Sequence, residues 1–134
     1  MRIVIMGCGR VGSTNAARLE REGHAVVVID TDPFSFRRLP PDFRGERLTG
    51  SGTDDQVLEQ AGIRQADAFM SLTQGDNRNL LAAQMAKHLF SVPKVVVRVY
   101  DPFRGEIFGK LGLRTFSPTS ISAEMAYDAL TREQ

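Results

Sequence analysis

Residues 2–12 read Arg-Ile-Val-Ile-Met-Gly-Cys-Gly-Arg-Val-Gly, an apolar run that passes directly into the pattern Gly-x-Gly-x-x-Gly. The near-continuous Ile and Val indicate a strand covered on both faces, and the stretch that follows has the period of a helix. This order of strand, glycine loop and helix is typical of dinucleotide-binding α/β folds. In such folds Gly7 permits the tight turn, Gly9 lets the backbone approach a pyrophosphate, and Gly12 lets the helix pack against the strand.

An acidic residue follows the second apolar run, where this fold binds ribose. Asp30 lies about eighteen residues beyond Gly12 and is followed by Thr31 and Asp32. A carboxylate there accepts hydrogen bonds from both ribose hydroxyls and repels a 2′-phosphate. The sequence therefore predicts an adenine nucleotide (NAD, NADH, ATP, ADP or AMP) and disfavours NADP. The alternative role for Asp30 is a helix cap for the segment after Pro33, which Asp32 already fits.

Two further residues of the glycine loop, Arg10 and Cys8, have two interpretations each. Arg10 is placed either to pair with a ligand phosphate or to lie solvated in the first helical turn, with Val11 beside it at the nucleotide site. Cys8 stands at a helix N-terminus, which lowers thiol pKa values, but no base or second cysteine is near it in sequence. A packing role for Cys8 is therefore favoured over that of a nucleophile.

Apolar runs and amphipathic stretches alternate along the whole chain. The predicted strands are Arg2–Met6, Ala25–Ile29, Glu46–Thr49, Ala68–Leu72, Lys94–Val99 and Arg114–Phe116. The predicted helices are Val11–Glu22, Asn77–Phe90 with a stripe of Leu81, Met85 and Leu89, one that follows Asp101-Pro102, and Ser120–Leu130. A short helix capped by Thr53 or Asp54 and a loop over residues 37–45 complete the pattern. Residues 1–134 are thus expected to form one domain, a doubly wound, parallel, six-stranded α/β sheet with helices on both faces.

Ligands of open parallel sheets bind beyond the carboxyl ends of the strands. The residues predicted there, after the third, fourth and fifth strands, are Gly50, Ser51, Gly52, Thr53, Thr73, Asn79 and Arg98. Small residues after the third strand let a base lie close to the backbone. The polar residues after the fourth strand and the arginine after the fifth offer contacts to phosphate or ribose.

Composition narrows the range of functions. Seventeen basic and sixteen acidic residues give a net charge of +1, which argues against nucleic acid and anionic membrane as main partners. One cysteine and two histidines argue against a disulfide framework or a zinc site. Apolar runs are of strand length only, so a cytoplasmic protein is expected.

An enzymatic role is not expected. Both histidines, His24 and His88, fall away from the carboxyl ends of the predicted strands, and no substrate domain follows the nucleotide module. The alternative is a fragment of an NAD-dependent oxidoreductase. A redox-sensing repressor would also need a DNA-binding element, for which neither the length nor the charge leaves room.

These motifs together resemble the N-terminal domain of regulators of potassium conductance, the RCK-N or TrkA-N family. The matching stretches are residues 7–12, Asp30, residues 50–54, 57–63, 66–68, 73–79 and 98–102. The resemblance implies a cytoplasmic gating subunit, attached on the inner face of the membrane to a potassium channel or transporter. It also implies a homodimer or ring that senses NAD(H) or ATP/ADP through a ligand-linked change in dimer arrangement. Arg10 would match the phosphate-contacting arginine and Asp30 the ribose acid.

The same resemblance implies a dimer contact on the helix after Pro102. Phe103, Ile107 and Leu111 fill one stripe of that helix, as sheet packing requires, which leaves Phe108 as the residue in need of a partner. Two positions depart from the family pattern. Thr119 stands where many relatives have a glutamate that reaches a divalent ion, so no metal site is predicted, and Ser51 stands where they have an acid. The companion C-terminal domain of the family is absent from these 134 residues.

Overall fold

The computed structural model describes residues 1–133. These residues form a six-stranded sheet in the order β3-β2-β1-β4-β5-β6, and every neighbouring pair runs parallel. The strands are β1 (Arg2–Met6), β2 (Ala25–Asp30), β3 (Glu46–Thr49), β4 (Ala68–Ser71), β5 (Lys94–Arg98) and β6 (Arg114–Phe116). The predicted doubly wound α/β fold is confirmed, with strand ends within one residue of the predictions.

Four α-helices and a 3₁₀ helix connect consecutive strands within residues 1–133, and a fifth α-helix follows β6. The α-helices are α1 (Arg10–Arg21), α2 (Asp55–Gln60), α3 (Asp76–Gln84), α4 (Pro102–Lys110) and α5 (Pro118–Thr131). Helix α3 continues into a π-helical turn, Met85–Leu89, and short 3₁₀ helices span Pro33–Arg38 and Ile63–Gln65. The predicted loop over residues 37–45 is therefore wrong at its start, because Arg37 and Arg38 belong to the first 3₁₀ helix. Asp32 begins that helix by accepting a hydrogen bond from the Phe34 N–H at 3.0 Å.

The sheet is covered on both faces. One apolar core lies between the sheet and α2, α3 and α4, and its largest buried members include Phe69, Leu58 and Ile63. The other lies under α1 and residues 33–43, where Ile5 and Val28 are fully buried. The buried strands β1, β2 and β5 are the ones rich in Ile and Val, as expected for strands with helices above and below.

Helix α3 and the turn after it face the sheet with only part of the predicted stripe, because Met85 packs against the core whereas Leu81 and Leu89 do not. Leu81 and Leu89 are 51% and 58% exposed, whereas Leu80, Ala83 and Phe90 are buried. The rotation follows from Asn79, a buried residue whose side chain is hydrogen-bonded to the ends of β4 and β5. A polar anchor therefore decides which face of this helix is inward, against the apolar periodicity.

Helix α4 is also turned the other way from the prediction. Phe108 packs against the core, whereas Phe103 and Leu111 are 69% and 58% exposed. The helix lies close to β6 because Gly105 and Gly109 face Thr115, whose hydroxyl donates to the Gly105 carbonyl at 2.9 Å. The apolar stripe of Phe103, Ile107 and Leu111 is thus the exposed face, and Phe108 is the inward residue.

Helix α5 leaves the sheet after β6. Ser117 begins it by accepting a hydrogen bond from the Ser120 N–H at 3.3 Å, and its own hydroxyl donates to the Tyr100 carbonyl. The described part of this helix buries none of its residues, and Ile121 and Met125 are exposed. Across residues 1–133, no helix combines the length and apolar character needed to span a membrane.

Candidate functional site

A cleft of about 640 Å³ opens at the carboxyl ends of the strands. It lies where β1 and β4 are neighbours, because the chain turns to one side of the sheet after β1 and to the other after β4. This switch in strand order separates the loops and leaves a crevice, which is where open α/β sheets bind ligands. Loops after β1, β2, β3, β4 and β5 all contribute to its lining.

The glycine loop forms the floor of the cleft, and each glycine has its own steric reason. Gly7 has φ +107°, and a Cβ there would lie 3.0 Å from the Leu72 carbonyl. A Cβ on Gly12 would collide with the Gly7 carbonyl, so α1 packs on the loop more closely than on the strand. A Cβ on Gly9 would meet no atom of residues 1–133 within 4 Å. The space above Gly9 therefore lies within the cleft, where a ligand can approach the backbone.

Asp30 ties the end of β2 to this loop. Its Oδ2 accepts a hydrogen bond from the Cys8 N–H at 2.8 Å, and its Oδ1 accepts one from the Asp32 N–H at 2.9 Å. The carboxylate lines the cleft and is half-buried. Because each carboxylate oxygen has a second lone pair, both remain able to accept from a ribose.

The loop after β3 closes one end of the cleft with small residues. Gly50, Ser51, Gly52 and Thr53 of this loop lie in the lining, as predicted, and so does Thr31 after β2. The Ser51 and Thr53 hydroxyls hydrogen-bond each other at 2.7 Å, and a Cβ on Gly52 would collide with Met6. Asp54, outside the cleft, caps α2 by accepting from the Gln56 N–H at 2.9 Å.

The loop after β4 is held by a buried polar network. The Asn79 side chain accepts hydrogen bonds from the Thr73 N–H at 3.0 Å and the Thr73 hydroxyl at 2.6 Å. Its amide donates to the carbonyls of Thr73 and Arg98 at 2.8 and 2.9 Å. Arg98, in turn, donates from its guanidinium to the carbonyls of Leu72 and Thr73. Thr73 and Arg98 therefore face the cleft, supported by Asn79.

Three predicted site residues lie outside the cleft lining. Asn79 is buried with 0% exposure, and its side chain is hydrogen-bonded to Thr73 and to the Arg98 carbonyl. Asp32 is exposed and caps the 3₁₀ helix. Gly12 is buried beneath Gly7. The other predicted residues, Gly7, Gly9, Arg10, Val11, Asp30, Thr31, Gly50, Ser51, Gly52, Thr53, Thr73 and Arg98, are brought together around one cleft.

The lining contains eight residues beyond the predicted site residues: Met6, Ile29, Ser35, Arg38, Leu72, Gln74, Arg78 and Tyr100. Met6, Ile29 and Leu72 end strands or follow them directly, so the topology rule already marks their positions. Ser35 and Arg38 belong to the 3₁₀ helix Pro33–Arg38, whose last two residues fall in the predicted loop. Arg78 lies in the first turn of α3, two residues after Asp76, and its sequence position gives no signal that its side chain turns back toward the cleft.

The charged residues of the lining are four arginines (Arg10, Arg38, Arg78 and Arg98) and one acid, Asp30. None of the four arginines forms an ion pair with an acidic residue within residues 1–133. The whole chain has a net charge of only +1, so positive charge is concentrated here. A cleft of this kind attracts anions, and phosphate groups match the geometry of guanidinium donors.

Cys8 lies behind the glycine loop and is buried with 0% exposure. Burial raises the pKa of its thiol from 9.0 to about 11, and the nearby Asp30 carboxylate adds to the increase, against smaller opposing effects of Arg38 and Arg47. A raised thiol pKa opposes nucleophilic reactivity. The packing role favoured for Cys8 fits this environment. His24, at the opposite end of the sheet, contacts the Met1 amino group at 2.9 Å and lies outside the cleft.

The family model described as the TrkA-N domain matches residues 3–118. This chain belongs to the TrkA-N domain family. The resemblance seen in the motifs of the glycine loop and strand ends is thereby confirmed. The match takes in every residue of the cleft lining.

Curated relatives of this TrkA-N domain are named as potassium uptake proteins. The Trk system potassium uptake protein TrkA of Streptomyces coelicolor is 50% identical over 124 residues, covering 92% of this chain and 56% of the relative. The TrkA homolog of Pyrococcus abyssi is 42% identical over 136 residues, covering 97% of this chain and 60% of that protein. The chain thus spans rather more than half the length of these relatives.

Solved structures share the architecture. GsuK bound to ADP superposes with a TM-score of 0.81 at 27% identity, covering 97% of this chain and 34% of that one. The GsuK channel bound to NAD gives a TM-score of 0.78 at 26% identity, covering 96% of this chain and 23% of that one. The TrkA-N domain of the Escherichia coli inner membrane protein ybaL gives 0.82 at 16% identity with 96% coverage of both chains, which concerns the fold alone.

Proposed function

We propose that this TrkA-N domain is the nucleotide-binding part of a regulatory subunit of a potassium uptake system. The observation that carries the proposal is the cleft, in which Gly9 leaves open space over the glycine loop and Asp30 lines one side. Its four arginines have no acidic partner among residues 1–133. The relatives named as Trk proteins supply the link to potassium transport.

The residues of the cleft fit an adenine nucleotide. Asp30 would hold the ribose hydroxyls, and the small residues from Gly50 to Thr53 would admit the base beside them. The α1 N-terminus, with Gly9 and Arg10, would bind the first phosphates, because its N–H groups and dipole favour an anion. Negative charge at Asp30 would repel the 2′-phosphate of NADP. The solved GsuK structures, with ADP or with NAD, are consistent with either kind of ligand in this fold.

The proposed effect of ligand binding is a change in the arrangement of subunits, not a catalysed reaction. A regulatory domain transmits ligand binding by favouring one arrangement of a dimer, and the shift is limited by the difference in ligand affinity between the arrangements. The exposed stripe of Phe103, Ile107 and Leu111 on α4 offers apolar area for a second copy. In this proposal the homodimer or ring acts on a membrane potassium transporter from the cytoplasmic side.

A thermal-shift panel tests the nucleotide-binding proposal. The purified chain is melted alone and with NAD, NADH, NADP, AMP, ADP or ATP. Because a ligand that binds only the folded state raises the melting temperature, at least one adenine nucleotide other than NADP is expected to stabilise the protein. If none of them shifts the melting temperature at millimolar concentration, the proposal fails. Light scattering with the best ligand then reports whether assembly changes.

A further inference from the structure

The two halves of the cleft carry different charge. On the side of β2 and β3, Asp30 and Arg38 have opposite signs and sum to zero, whereas on the side of β4 and β5 Arg78 and Arg98 sum to +2. Arg10 lies between the halves at the start of α1. A nucleotide bound with its ribose at Asp30 would therefore extend from a neutral region into a positive one.

Arg98 is a fixed positive charge in the second half. It is only 7% exposed, and its Nε and Nη2 donate to the Thr73 carbonyl at 3.2 and 2.9 Å. Carbonyl groups orient the guanidinium without neutralising it, and no carboxylate within residues 1–133 pairs with it. A buried cation without a counter-charge is costly, and an anion in the adjacent cleft offsets the cost.

Arg78 adds a second cation at the edge of the same half. It lies in the first turn of α3, and its guanidinium rests against Gly75, where a Cβ would come within 3.0 Å of Nε and Nη2. The missing side chain at position 75 lets the guanidinium lie along the loop and line the cleft. Asp76 does not neutralise it, because the Asp76 carboxylate faces the N–H groups of Tyr100 and Asp101 and the side chain of Arg104.

We propose that Arg78, supported by Arg98, selects adenine nucleotides that end in two or three phosphates over nucleotides that continue into a nicotinamide riboside. The inference rests on the proposed nucleotide-binding function and names its ligand class. A terminal phosphate of ADP or ATP placed beyond the glycine loop meets guanidinium donors. The oxidised nicotinamide ring is itself a cation, so the same half of the cleft repels it.

Isothermal titration calorimetry tests this assignment with ATP, ADP, AMP and NAD⁺ at one fixed ionic strength. The proteins are the wild type, Arg78→Gln, Arg78→Lys and the charge-matched control Arg18→Gln, whose residue pairs with Glu22 on the exposed side of α1. The wild type should prefer ATP and ADP to AMP and NAD⁺. Arg78→Gln should lower the affinity for ATP about tenfold, which corresponds to the loss of one charge-assisted hydrogen bond. It should leave the affinity for AMP nearly unchanged. Arg78→Lys should recover part of the loss, and Arg18→Gln should match the wild type.

Two results would overturn the inference while leaving nucleotide binding intact. One is an equal loss of ATP and AMP affinity in Arg78→Gln at an unchanged melting temperature. The other is wild-type binding of NAD⁺ as tight as that of ATP. Failure of the wild type to bind any of the four ligands would instead defeat the proposed function itself.

Discussion

The Oδ2 atom of Asp30 accepts a hydrogen bond from the Cys8 N–H at 2.8 Å, which joins the acid at the end of β2 to the glycine loop after β1. The predicted ribose-binding residue is therefore also a structural member of the loop that forms the floor of the cleft. Any change at Asp30 will affect folding as well as ligand binding, and experiments must separate the two effects.

Asp30→Asn is expected to lower the free energy of unfolding by roughly 1–3 kcal/mol, because the amide replaces one acceptor facing a backbone N–H with a donor. The variant should also lose the nucleotide-induced rise in melting temperature, since the ribose loses its charged acceptor. Chemical denaturation measures the first effect, and the melting temperature of the variant with and without ligand measures the second.

Asp32→Asn is the matched control. Asp32 is a carboxylate two residues away that also accepts a backbone hydrogen bond, from Phe34, but it lies outside the cleft lining. Because Asn also caps helices well, the free energy of unfolding of this variant should lie within about 0.5 kcal/mol of the wild-type value. The variant should also keep the nucleotide-induced rise in melting temperature. A retained ligand response in Asp30→Asn, or its loss in Asp32→Asn, would contradict the assignment of the ribose site.

The glycine loop allows stability and binding to be separated. Gly12→Ala places a methyl group against the Gly7 carbonyl and should destabilise the fold by about 1–3 kcal/mol or more, as overpacking does. Gly9→Ala introduces a methyl group with no atom of residues 1–133 within 4 Å, at φ −80°, and should lower the free energy of unfolding by no more than about 1 kcal/mol, because alanine is a poorer N-cap for α1 than glycine. Gly9→Ala should nevertheless lower the affinity for the nucleotide, because the new methyl group occupies the space that the ligand would fill. Unchanged nucleotide affinity in a folded Gly9→Ala protein would argue against this approach of the ligand.

Much of the fold and cleft could be predicted because the signals are local. Strand runs of Ile and Val, the spacing of three glycines, and Asp30 at a strand end each depend on neighbouring residues only. The rule that parallel strands end at one edge then brings distant loops together. Twelve predicted site residues meet at the cleft for this reason.

The errors share a different physical cause. The inward faces of α3 and α4 were predicted from apolar spacing, but Asn79 and the glycines facing Thr115 set them, through contacts distant in sequence. Arg78 was missed because its direction depends on the empty space at Gly75. Sequence periodicity cannot distinguish an apolar stripe that faces a core from one that faces a partner.

The buried thiol of Cys8 predicts a pH dependence of stability. Its pKa in the folded protein is about 11, against 9.0 for an ordinary thiol, so the folded state holds the proton more tightly than the unfolded state does. The thiol therefore does not reduce the free energy of unfolding below about pH 9. As the pH rises toward 11, the free energy of unfolding falls by roughly 2–3 kcal/mol, because the unfolded state loses the proton first. Urea unfolding of the wild type and Cys8→Ala between pH 8 and 11 checks this difference. Parallel pH profiles of the two proteins would contradict it.

The exposed stripe on α4 predicts self-association. Leu111→Glu should shift the protein toward the monomer, because it places a charge in an apolar contact area. The control is Phe34→Glu, since Phe34 is similarly exposed but lies beyond β2, on the opposite face of the sheet from α4. Sedimentation equilibrium distinguishes the two variants. A wild type that stays monomeric at all concentrations, or equal weakening by both substitutions, would show that α4 is not the dimer contact.

Asn79 predicts a large loss of stability from a single polar residue. Asn79→Ala removes the partners of the Thr73 N–H and hydroxyl and of the Arg98 carbonyl, whereas the Thr73 carbonyl keeps its bonds from Arg98; Asn79 itself has 0% exposure. Because each buried polar group left without a partner costs about 1–3 kcal/mol, the free energy of unfolding should fall by more than about 3 kcal/mol. Asn77→Ala, which removes an exposed bond to Arg104, should cost less than about 1 kcal/mol. Denaturant titration of both variants measures the contrast. Similar small losses in the two proteins would mean that the loop after β4 does not depend on Asn79. Arg98 would then be held at the cleft by the hydrogen bonds from its guanidinium to the carbonyls of Leu72 and Thr73.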